Sequence, residues 1–579
     1  MSETPSRTLS LVLGPMPLHA RPDAVLAAGP WCFAGLEDFF PRWEEEFTFA
    51  PDILSDRAEE DQCIREAEAL AADAVPALAQ RLAPGTELSP AYWETLLAPH
   101  AITVAKLLVQ HWHLARAMVR DWADLPLQVE LLPEDCSFRF GEDADVVLHG
   151  ALNPKASHWV LSLLLRSMLP QAWTAVEGAK VEEVWQTPKP AGLKARLRGF
   201  LRSRMLALPF PVMKGMTARQ ALAFSSALRH PSRTEDRSRS LAGSFSSQAQ
   251  GLALDIPKAA LAVFEAFLPE SIRCLRHPKT LSPMAKPRVR AASILLYEDA
   301  RYRQDLARWR GRGGRLLCVQ HGGNYGQMRR ICAMEMVEYS QHAFATWGWT
   351  AYDGALGAAS GTGNFLPLPH PQLARQKDSW RRASDEMIFV GTEMPTVAYQ
   401  LDSHPTPAQF IQYREDKQWF LEALGPEVRK QTLYRPYFKV PGTLEDAEWI
   451  IPRFPQVRLC QGPLGPQILG CRLLCLDHHG TTLLEAMAAG IPTLCYWNPA
   501  FWPVTPDFDE LLGDMASLGM WHASAELCAE KVREVWDDPA AWWHSESVQA
   551  VRRRFLARFA NLPEDPGEDK AWLDCLRSL

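Results

Sequence analysis

The chain has 579 residues, of which 47 % are hydrophobic and 22 % are charged, and its formal net charge is −7. This composition is typical of globular proteins, and the length predicts two large domains or three smaller ones. The net negative charge argues against a broad basic surface, so nucleic acid is not an expected partner. The 12 cysteines form no CxxC pair, which is typical of buried thiols in a reducing compartment.

The sequence predicts a cytoplasmic protein. The amino terminus shows no usable signal peptide, and no apolar run approaches the roughly 18 residues of a membrane-spanning helix. Residues 193–205 (LKARLRGFLRSRM) alternate basic and apolar side chains. A helix there would either rest on anionic lipid at the inner face of the cytoplasmic membrane, as a peripheral contact, or pack as a surface helix on its own domain.

The amino-terminal half shows strand patterns followed by long helical patterns. Residues 9–14 and 23–34 read as strands, and residues 55–82 and 101–122 read as helices. Further helices are predicted at 156–168 and 259–267, and residues 230–250 read as a polar loop.

After residue 290 the pattern alternates between strands and helices. Strands are predicted at residues 314–320, 386–391, 458–460, 472–476 and 491–496. Strands that alternate with helices predict an α/β fold with parallel sheets. Residues 354–364, followed by three prolines, read as an interdomain connection, and residues 539–559 read as helical.

The strongest local pattern is RLLCLDHHGTTLLEAMAAGIPTLCYW, residues 472–497. A buried strand ends at Asp477, Gly480 permits a close backbone approach, and Thr481 opens a helix. The free amides of a helix start favour phosphate, and the hydroxyls of Thr481 and Thr482 add donors. Glu485 lies one turn further on the same face, where a carboxylate can accept hydrogen bonds from ribose hydroxyls.

The unit at 472–497 resembles the donor-binding half of GT-B glycosyltransferases. More narrowly, the chain resembles a transferase family of bacterial O-antigen and surface-carbohydrate synthesis. Four segments carry that resemblance: AAGPWC at 27–32, YWETLLAP at 92–99, HGGNYG at 321–326 and WGW at 347–349. The chain departs from the family pattern at Pro30 and His100. The resemblance implies two facing Rossmann-like domains. An acceptor-side domain with helical insertions would span 1–360, a donor-binding domain 361–540, and a helical tail packing back 541–579.

His321 is the candidate catalytic base. It follows a strand directly, and a neutral imidazole can take a hydroxyl proton near pH 7. A more distant resemblance to CDP-glycerol glycerophosphotransferases implies the same role for a strand-ending His-Gly. The alternatives are a histidine that hydrogen-bonds the cleft wall and one that only touches donor phosphate. Glu393 is a second, weaker catalytic candidate at the end of a strand.

The remaining candidates are assigned to donor binding. Arg435 would neutralise the leaving phosphate, and His478 and His479 would line the phosphate site. Gly322, Gly323 and Asn324 would contact the donor from the opposite domain. Arg435 and Glu393 are each equally compatible with an ordinary ion pair or loop residue.

The sequence predicts no metal site and no cofactor. The Asp-His-His run at 477–479 lacks the further carboxylates of a two-metal site, and His111 and His113 do not share a helix face.

The predicted reaction is transfer of a sugar from a nucleotide-sugar co-substrate to a hydroxyl of a surface glycan, a lipid-linked intermediate or a protein. The alternatives are CDP-polyol phosphotransfer and a non-catalytic scaffold of a polysaccharide assembly complex.

Overall fold

The computed structural model describes residues 9–185, 205–213, 215–229, 255–286, 288–352, 364–392, 396–397, 401, 405–437, 442–443, 446–562 and 569–579. The predicted basic helix at 193–205 and the predicted loop at 230–250 therefore lie almost entirely outside the described residues, as does most of the connection at 354–364.

The amino-terminal unit contains a parallel sheet in the order β3-β2-β1-β4-β6. Its strands are β1 Leu9–Val12, β2 Val25–Ala27, β3 Thr48–Phe49, β4 Leu127–Leu131 and β6 Trp173–Glu177. A separate parallel pair joins β5 Ser137–Phe140 to β7 Glu182–Trp185. The patterns at 9–14 and 23–34 predicted β1 and β2, although the strand within 23–34 is limited to Val25–Ala27, whereas β3 to β7 were not predicted.

Two long helices, α2 (Arg57–Leu82) and α3 (Pro90–Trp122), dominate the helical part of this unit. The helices are α1 Trp43–Glu46, α2 Arg57–Leu82, α3 Pro90–Trp122, α4 Asp143–Val146, α5 Pro154–Leu165, α6 Ala218–Arg229, α7 Lys258–Leu261, α8 Val263–Ala266 and α9 Glu270–Arg273. Asp56 caps α2 by accepting from the amides of Ala58 and Glu59. The helix α3 starts earlier than predicted because Ser89-Pro90 provides a helix start, and it continues through Pro99.

The middle unit is a four-stranded parallel sheet in the order β11-β10-β9-β8. Its strands are β8 Val289–Ala292, β9 Arg315–Val319, β10 Ala343–Thr346 and β11 Phe365–Pro367. The helices α10 Leu295–Glu298, α11 Ala300–Gly311 and α12 Cys332–Met334 accompany it, and a π-helical turn spans Glu335–Tyr339. The loop after β9 carries the HGGNYG segment.

The carboxy-terminal unit is a six-stranded parallel sheet in the order β14-β13-β12-β15-β16-β17. Its strands are β12 Met387–Val390, β13 Thr432–Arg435, β14 Arg458–Leu459, β15 Leu473–Leu476, β16 Thr493–Tyr496 and β17 Trp521–His522. This is the Rossmann order 3-2-1-4-5-6, in which ligands bind where the order reverses, here between β12 and β15. The register pairs Val390 with Leu476 at the ends of those strands.

The helices of this unit follow the predicted alternation. They are α13 Pro371–Gln376, α14 Pro407–Ala423, α15 Pro426–Lys430, α16 Asp446–Arg453, α17 Leu464–Ile468, α18 Thr481–Ala489, α19 Pro506–Ser517, α20 Ala525–Val535, α21 Pro539–Trp543, α22 Glu546–Phe559 and α23 Lys570–Ser578. The helix α18 ends at Gly490, which has a φ of 78° and closes the helix in the left-handed region.

The carboxy-terminal helix α23 packs on the middle unit. Trp572 is 2 % exposed and stacks on Phe224 of α6, with ring centroids 5.3 Å apart. The Trp572 indole donates to the carbonyl of Pro369 at 2.9 Å. The last helix is therefore attached to the sheet β8–β11 rather than to the six-stranded sheet that precedes it in the chain.

The prediction of an α/β fold with parallel sheets is confirmed. The loops at the carboxyl ends of β9 and β15 meet, so the middle and carboxy-terminal units face each other as in a GT-B-like fold. The amino-terminal unit adds the five-stranded parallel sheet and the parallel pair β5–β7 to that arrangement.

Candidate active site at the facing strand ends

The loop after β9 touches the start of α18. The amide of Gly323 donates to Thr481 Oγ1 at 2.9 Å. A Cβ atom at Gly323 would lie 2.3 Å from the carbonyl carbon of Gly480 and 2.4 Å from the amide nitrogen of Thr481, so only glycine fits. The structure thus brings together three of the predicted donor-site residues, Gly323, Gly480 and Thr481.

The HGGNYG and WGW segments are tied to each other by Gln320. Its Oε1 accepts from the backbone amide of Trp347 and from the indole of Trp349, both at 2.9 Å. Its Nε2 donates to the carbonyl of Gly322 at 2.9 Å. These bonds fix the loop that carries His321.

His321 is held by a buried carboxylate and a phenol. Its Nε2 lies 2.6 Å from the hydroxyl of Tyr325 and 3.3 Å from Glu338 Oε1. Tyr297 and Tyr325 donate to the same Oε1 at 2.8 and 3.1 Å. The Glu338 side chain is fully buried.

The tyrosines of this network stay protonated. Burial, followed by the charge of Glu338, raises the pKa of Tyr297 and of Tyr325 well above its usual range. A phenol has one proton to donate, and a carboxylate is the stronger acceptor, so we assign the Tyr325 proton to Glu338. The Tyr325 oxygen then accepts from the Nε2–H of His321, so this network engages Nε2 of the ring rather than Nδ1.

His321 lines a cavity of about 760 Å³ that Thr481 and Glu485 also line. His321 comes from the middle unit, whereas Thr481 and Glu485 come from α18 of the carboxy-terminal unit. Glu298, at the end of α10, adds a further carboxylate to the lining. A base candidate and two donor-site candidates therefore face one space from opposite sides.

Of the ten predicted donor-binding residues, only Thr481 and Glu485 line this cavity, and three of the others have partners elsewhere. Arg435 Nη1 donates to the carbonyls of Cys460 and Gly462 at 3.0 and 2.8 Å. His479 is fully buried, with its ring 5.2 Å from that of Trp502. His478, which is mostly buried, holds Asp477 Oδ1 at 2.9 Å through Nδ1.

The other predicted residues are placed as follows. Thr482 is the second residue of α18 and is partly exposed, and Gly322 lies beside Thr481, whose Oγ1 would be 3.8 Å from a Cβ there. Asn324 has a φ of 70°, and its buried Oδ1 has no hydrogen-bond partner within the part of the chain that the structure describes. Glu393 lies outside the described residues.

Sequence reasoning missed a buried charge network at the reversal point of the six-stranded sheet. Thr392 follows β12 and donates its amide to both carboxylate oxygens of Asp477, at 2.9 and 3.0 Å. Lys417 of α14 lies 3.6 Å from Asp477 Oδ2 and contacts the carboxylate of Asp446, with all three side chains fully buried. This network fixes the end of β15 from which the Asp-His-His turn and α18 start.

Glu338 was also missed, as was the role of Tyr297. Tyr325 stands inside the HGGNYG segment, but Glu338 is separated from it by twelve residues and lies in a π-helical turn with no motif of its own. Only the tertiary fold brings that turn under His321.

Among the described residues, no cluster of three or more His, Cys, Asp or Glu side chains is arranged to hold a metal ion. None of the helices in the described ranges is long and apolar enough to cross a bilayer.

Two facing parallel sheets whose strand-end loops meet beside one cavity define an α/β protein with a GT-B-like arrangement. The chain belongs to the LIC12162 family transferases, and the match spans residues 9–576. This confirms the coarse prediction of a transferase. No curated protein matches the chain.

Two solved structures show weak similarity. The spinosyn forosaminyltransferase SpnP is 11 % identical with a TM-score of 0.24, over 46 % of this chain and 71 % of that one. A mutant of the Thermobaculum terrenum O-GlcNAc transferase is 11 % identical with a TM-score of 0.30, over 90 % of this chain and 89 % of that one.

Proposed function

We propose that this transferase moves a sugar from a nucleotide-activated donor to an acceptor hydroxyl, with the donor on the carboxy-terminal unit and the acceptor on the middle unit. One observation carries the proposal: His321, held by Glu338, shares a cavity with Thr481 and Glu485 of the opposite unit. Surface glycans, lipid-linked intermediates and proteins are the acceptor classes considered. The proposed setting is the cytoplasm, at or near the inner face of the membrane.

In the proposed mechanism, His321 acts as the general base. Its Nδ1 takes the acceptor hydroxyl proton as the oxygen attacks the anomeric carbon and the bond to the nucleotide phosphate breaks. The ring becomes an imidazolium. Glu338 stabilises that cation directly at 3.3 Å and through the Tyr325 hydroxyl.

The leaving phosphate gains its negative charge next to α18. The amides of the first turn, together with the Thr482 hydroxyl, favour that anion without a metal ion. The Thr481 hydroxyl already accepts from Gly323, so its own proton remains available to a phosphate oxygen. Glu485 is placed to accept hydrogen bonds from ribose hydroxyls.

Arg435 has a different proposed role from the one suggested by sequence. Its guanidinium donates to two carbonyls of the segment after β14, which supports a role in shaping that segment. Charge stabilisation in this mechanism therefore relies on amides and hydroxyls rather than on Arg435.

The proposal is tested by a thermal-shift screen with UDP, GDP, CMP and CDP. One nucleotide should stabilise the parent protein, and Thr481→Ala combined with Thr482→Ala should abolish that shift. Ser545→Ala is the matched control, because Ser545 also precedes a helix yet makes no capping bond there. Equal shifts in the parent and the double variant would place the donor elsewhere and refute the assignment.

Turnover separates the remaining alternatives. With the stabilising nucleotide known, donors labelled in the sugar or in the phosphorus are offered with a panel of acceptors. Label transferred with the sugar alone supports glycosyl transfer, whereas phosphorus in the product indicates CDP-polyol phosphotransfer. Nucleotide binding without turnover on any donor would favour the scaffold.

A further inference from the structure

One wall of the cavity is apolar and comes from outside the two facing sheets. It is built by six residues of a single segment: Met205, Leu206, Pro211, Val212, Met213 and Met216. Most of these side chains are partly exposed rather than buried. Trp347 and Trp572 extend the same apolar lining.

This wall is anchored firmly to the fold. Phe210, in its centre, is fully buried, with its ring 5.2 Å from Phe224 and 5.7 Å from Trp572. Ser225 Oγ accepts from the amide of Phe210 at 3.0 Å and donates to its carbonyl at 3.1 Å. The apolar residues therefore form a built surface, with flexible methionine side chains that adapt to a hydrocarbon.

The charge of the cavity favours an uncharged ligand beside this wall. The acidic side chains among its described lining residues are Glu298 and Glu485, and no lysine or arginine is among those described lining residues. Beyond the first turn of α18, whose amides hold the leaving phosphate in the proposed mechanism, a second phosphate placed close to Glu298 would be repelled. A volume of about 760 Å³ is within the range of small-molecule sites, roughly 300–1,000 Å³.

We infer that the acceptor carries an uncharged hydrocarbon group. This group lies along the apolar wall, and the reacting hydroxyl of the acceptor reaches His321. This inference rests on the proposed function and names its acceptor class. The inferred acceptor is a hydrophobic glycoside, rather than a free glycan or a lipid whose phosphate adjoins the reacting sugar.

Alkyl glycosides test the inference without donor or turnover. A series of n-alkyl β-glucosides from ethyl to octyl, kept below micelle formation, is titrated calorimetrically into the full chain. Affinity should rise two- to fourfold for each added methylene, as expected for hydrocarbon burial, with a negative heat-capacity change. In the variant that combines Thr481→Ala with Thr482→Ala, which weakens the proposed phosphate site, octyl phosphate should bind at least tenfold more weakly than octyl glucoside. Affinity that does not depend on chain length, or tighter binding of octyl phosphate, would overturn the inference.

A pair of variants locates the bound chain. Val212→Asp should remove the chain-length dependence, because Val212 lines the cavity. Leu222→Asp should retain it, because Leu222 is an equally apolar residue that is 56 % exposed on α6 and away from the lining. Met213→Leu preserves the apolar surface and should bind as the parent does.

Photolabelling tests the inference in the unmodified protein, so its result does not depend on whether a variant folds. An octyl glucoside bearing a terminal diazirine is irradiated with the unmodified protein, and the labelled peptides are identified by mass spectrometry. Labels on residues 205–216 or on Trp572 support the inference, and labels confined elsewhere refute it. Because these assays need no nucleotide, a failure here is distinguishable from a failure of the donor site at Thr481.

Discussion

Two adjacent glycines in the loop after β9 give a sharp test of the contact between the facing units. Gly323→Ala would place a Cβ atom 2.3 Å from the Gly480 carbonyl carbon, whereas a Cβ at Gly322 would meet only Thr481 Oγ1, at 3.8 Å. Neither glycine has a positive φ, so the two substitutions differ in available space rather than in backbone strain. We expect Gly322→Ala to be tolerated and Gly323→Ala to separate the loop from α18.

The size of the effect follows from the lost contacts. Relief of the Gly323→Ala overlap requires a displacement of about 1 Å, and overpacking of this kind costs about 1–3 kcal/mol. The hydrogen bond from Gly323 to Thr481 would break as well, at a cost of about 1 kcal/mol. The free energy of unfolding should therefore fall by about 3 kcal/mol, which lowers Tm by about 6 °C for a cooperative unit of roughly 200 residues.

Differential scanning calorimetry of the parent and the two glycine variants measures this difference. Gly323→Ala should also weaken the shift produced by the stabilising nucleotide, because the loop and the start of α18 would no longer hold their spacing. Gly322→Ala should match the parent in Tm within about 2 °C, as expected for a change that adds one methyl group in open space. Indistinguishable Tm values for the two variants would refute the close approach of Gly323 to Gly480.

Three further predictions concern buried side chains. Glu338→Gln should lower kcat about 10- to 100-fold with little change in KM, because the proposed base His321 loses its orientation. Glu335→Gln, in the same π-helical turn, is the control. Steady-state kinetics compares the two variants with the parent. Burial lowers the pKa of His111 to about 4 from its ordinary value near 6.5. The unfolded state therefore binds more protons between those values, and stability should fall as pH decreases from 6.5 to 4. Urea unfolding at pH 5 and pH 7 should show a smaller loss for His111→Leu than for the parent. Trp572→Ala should lower the free energy of unfolding by about 3–5 kcal/mol, measured in the same way, because a large buried ring is removed from α23; an unchanged midpoint would contradict the attachment of that helix.

The carboxy-terminal unit was predictable because its periodicity and helix boundaries are local. The helix α18 begins at Thr481 and ends at Ala489, as Gly480 and Gly490 indicate in the sequence. The amino-terminal sheet was only partly predictable: the patterns at 9–14 and 23–34 contain β1 and β2, whereas β3, with only two residues, was not predicted. Strands of that length show no period, and their pairing depends on contacts between residues far apart in the chain.

The residues of the candidate site also differ in whether a local sequence signal marks them. His321 and Thr481 could be proposed because each stands at the junction of a strand or helix with a loop, where parallel sheets place ligands, and Glu485 because it lies one turn after Thr481 in α18. Glu338 and Lys417 were not found, because a buried charge inside a helical turn resembles any surface charge in sequence. Arg435 was assigned to phosphate binding because it is a cation at the end of a strand. Its guanidinium instead donates to two backbone carbonyls of its own unit.

The contact between Gly323 and Thr481 has a consequence for catalysis. Domain closure is commonly needed to bring a base and a leaving-group site together. Here the hydrogen bond of 2.9 Å joins the base-bearing loop to the first residue of α18, two residues from His321. In the proposed mechanism, this bond therefore limits the separation between His321 and the first turn of α18.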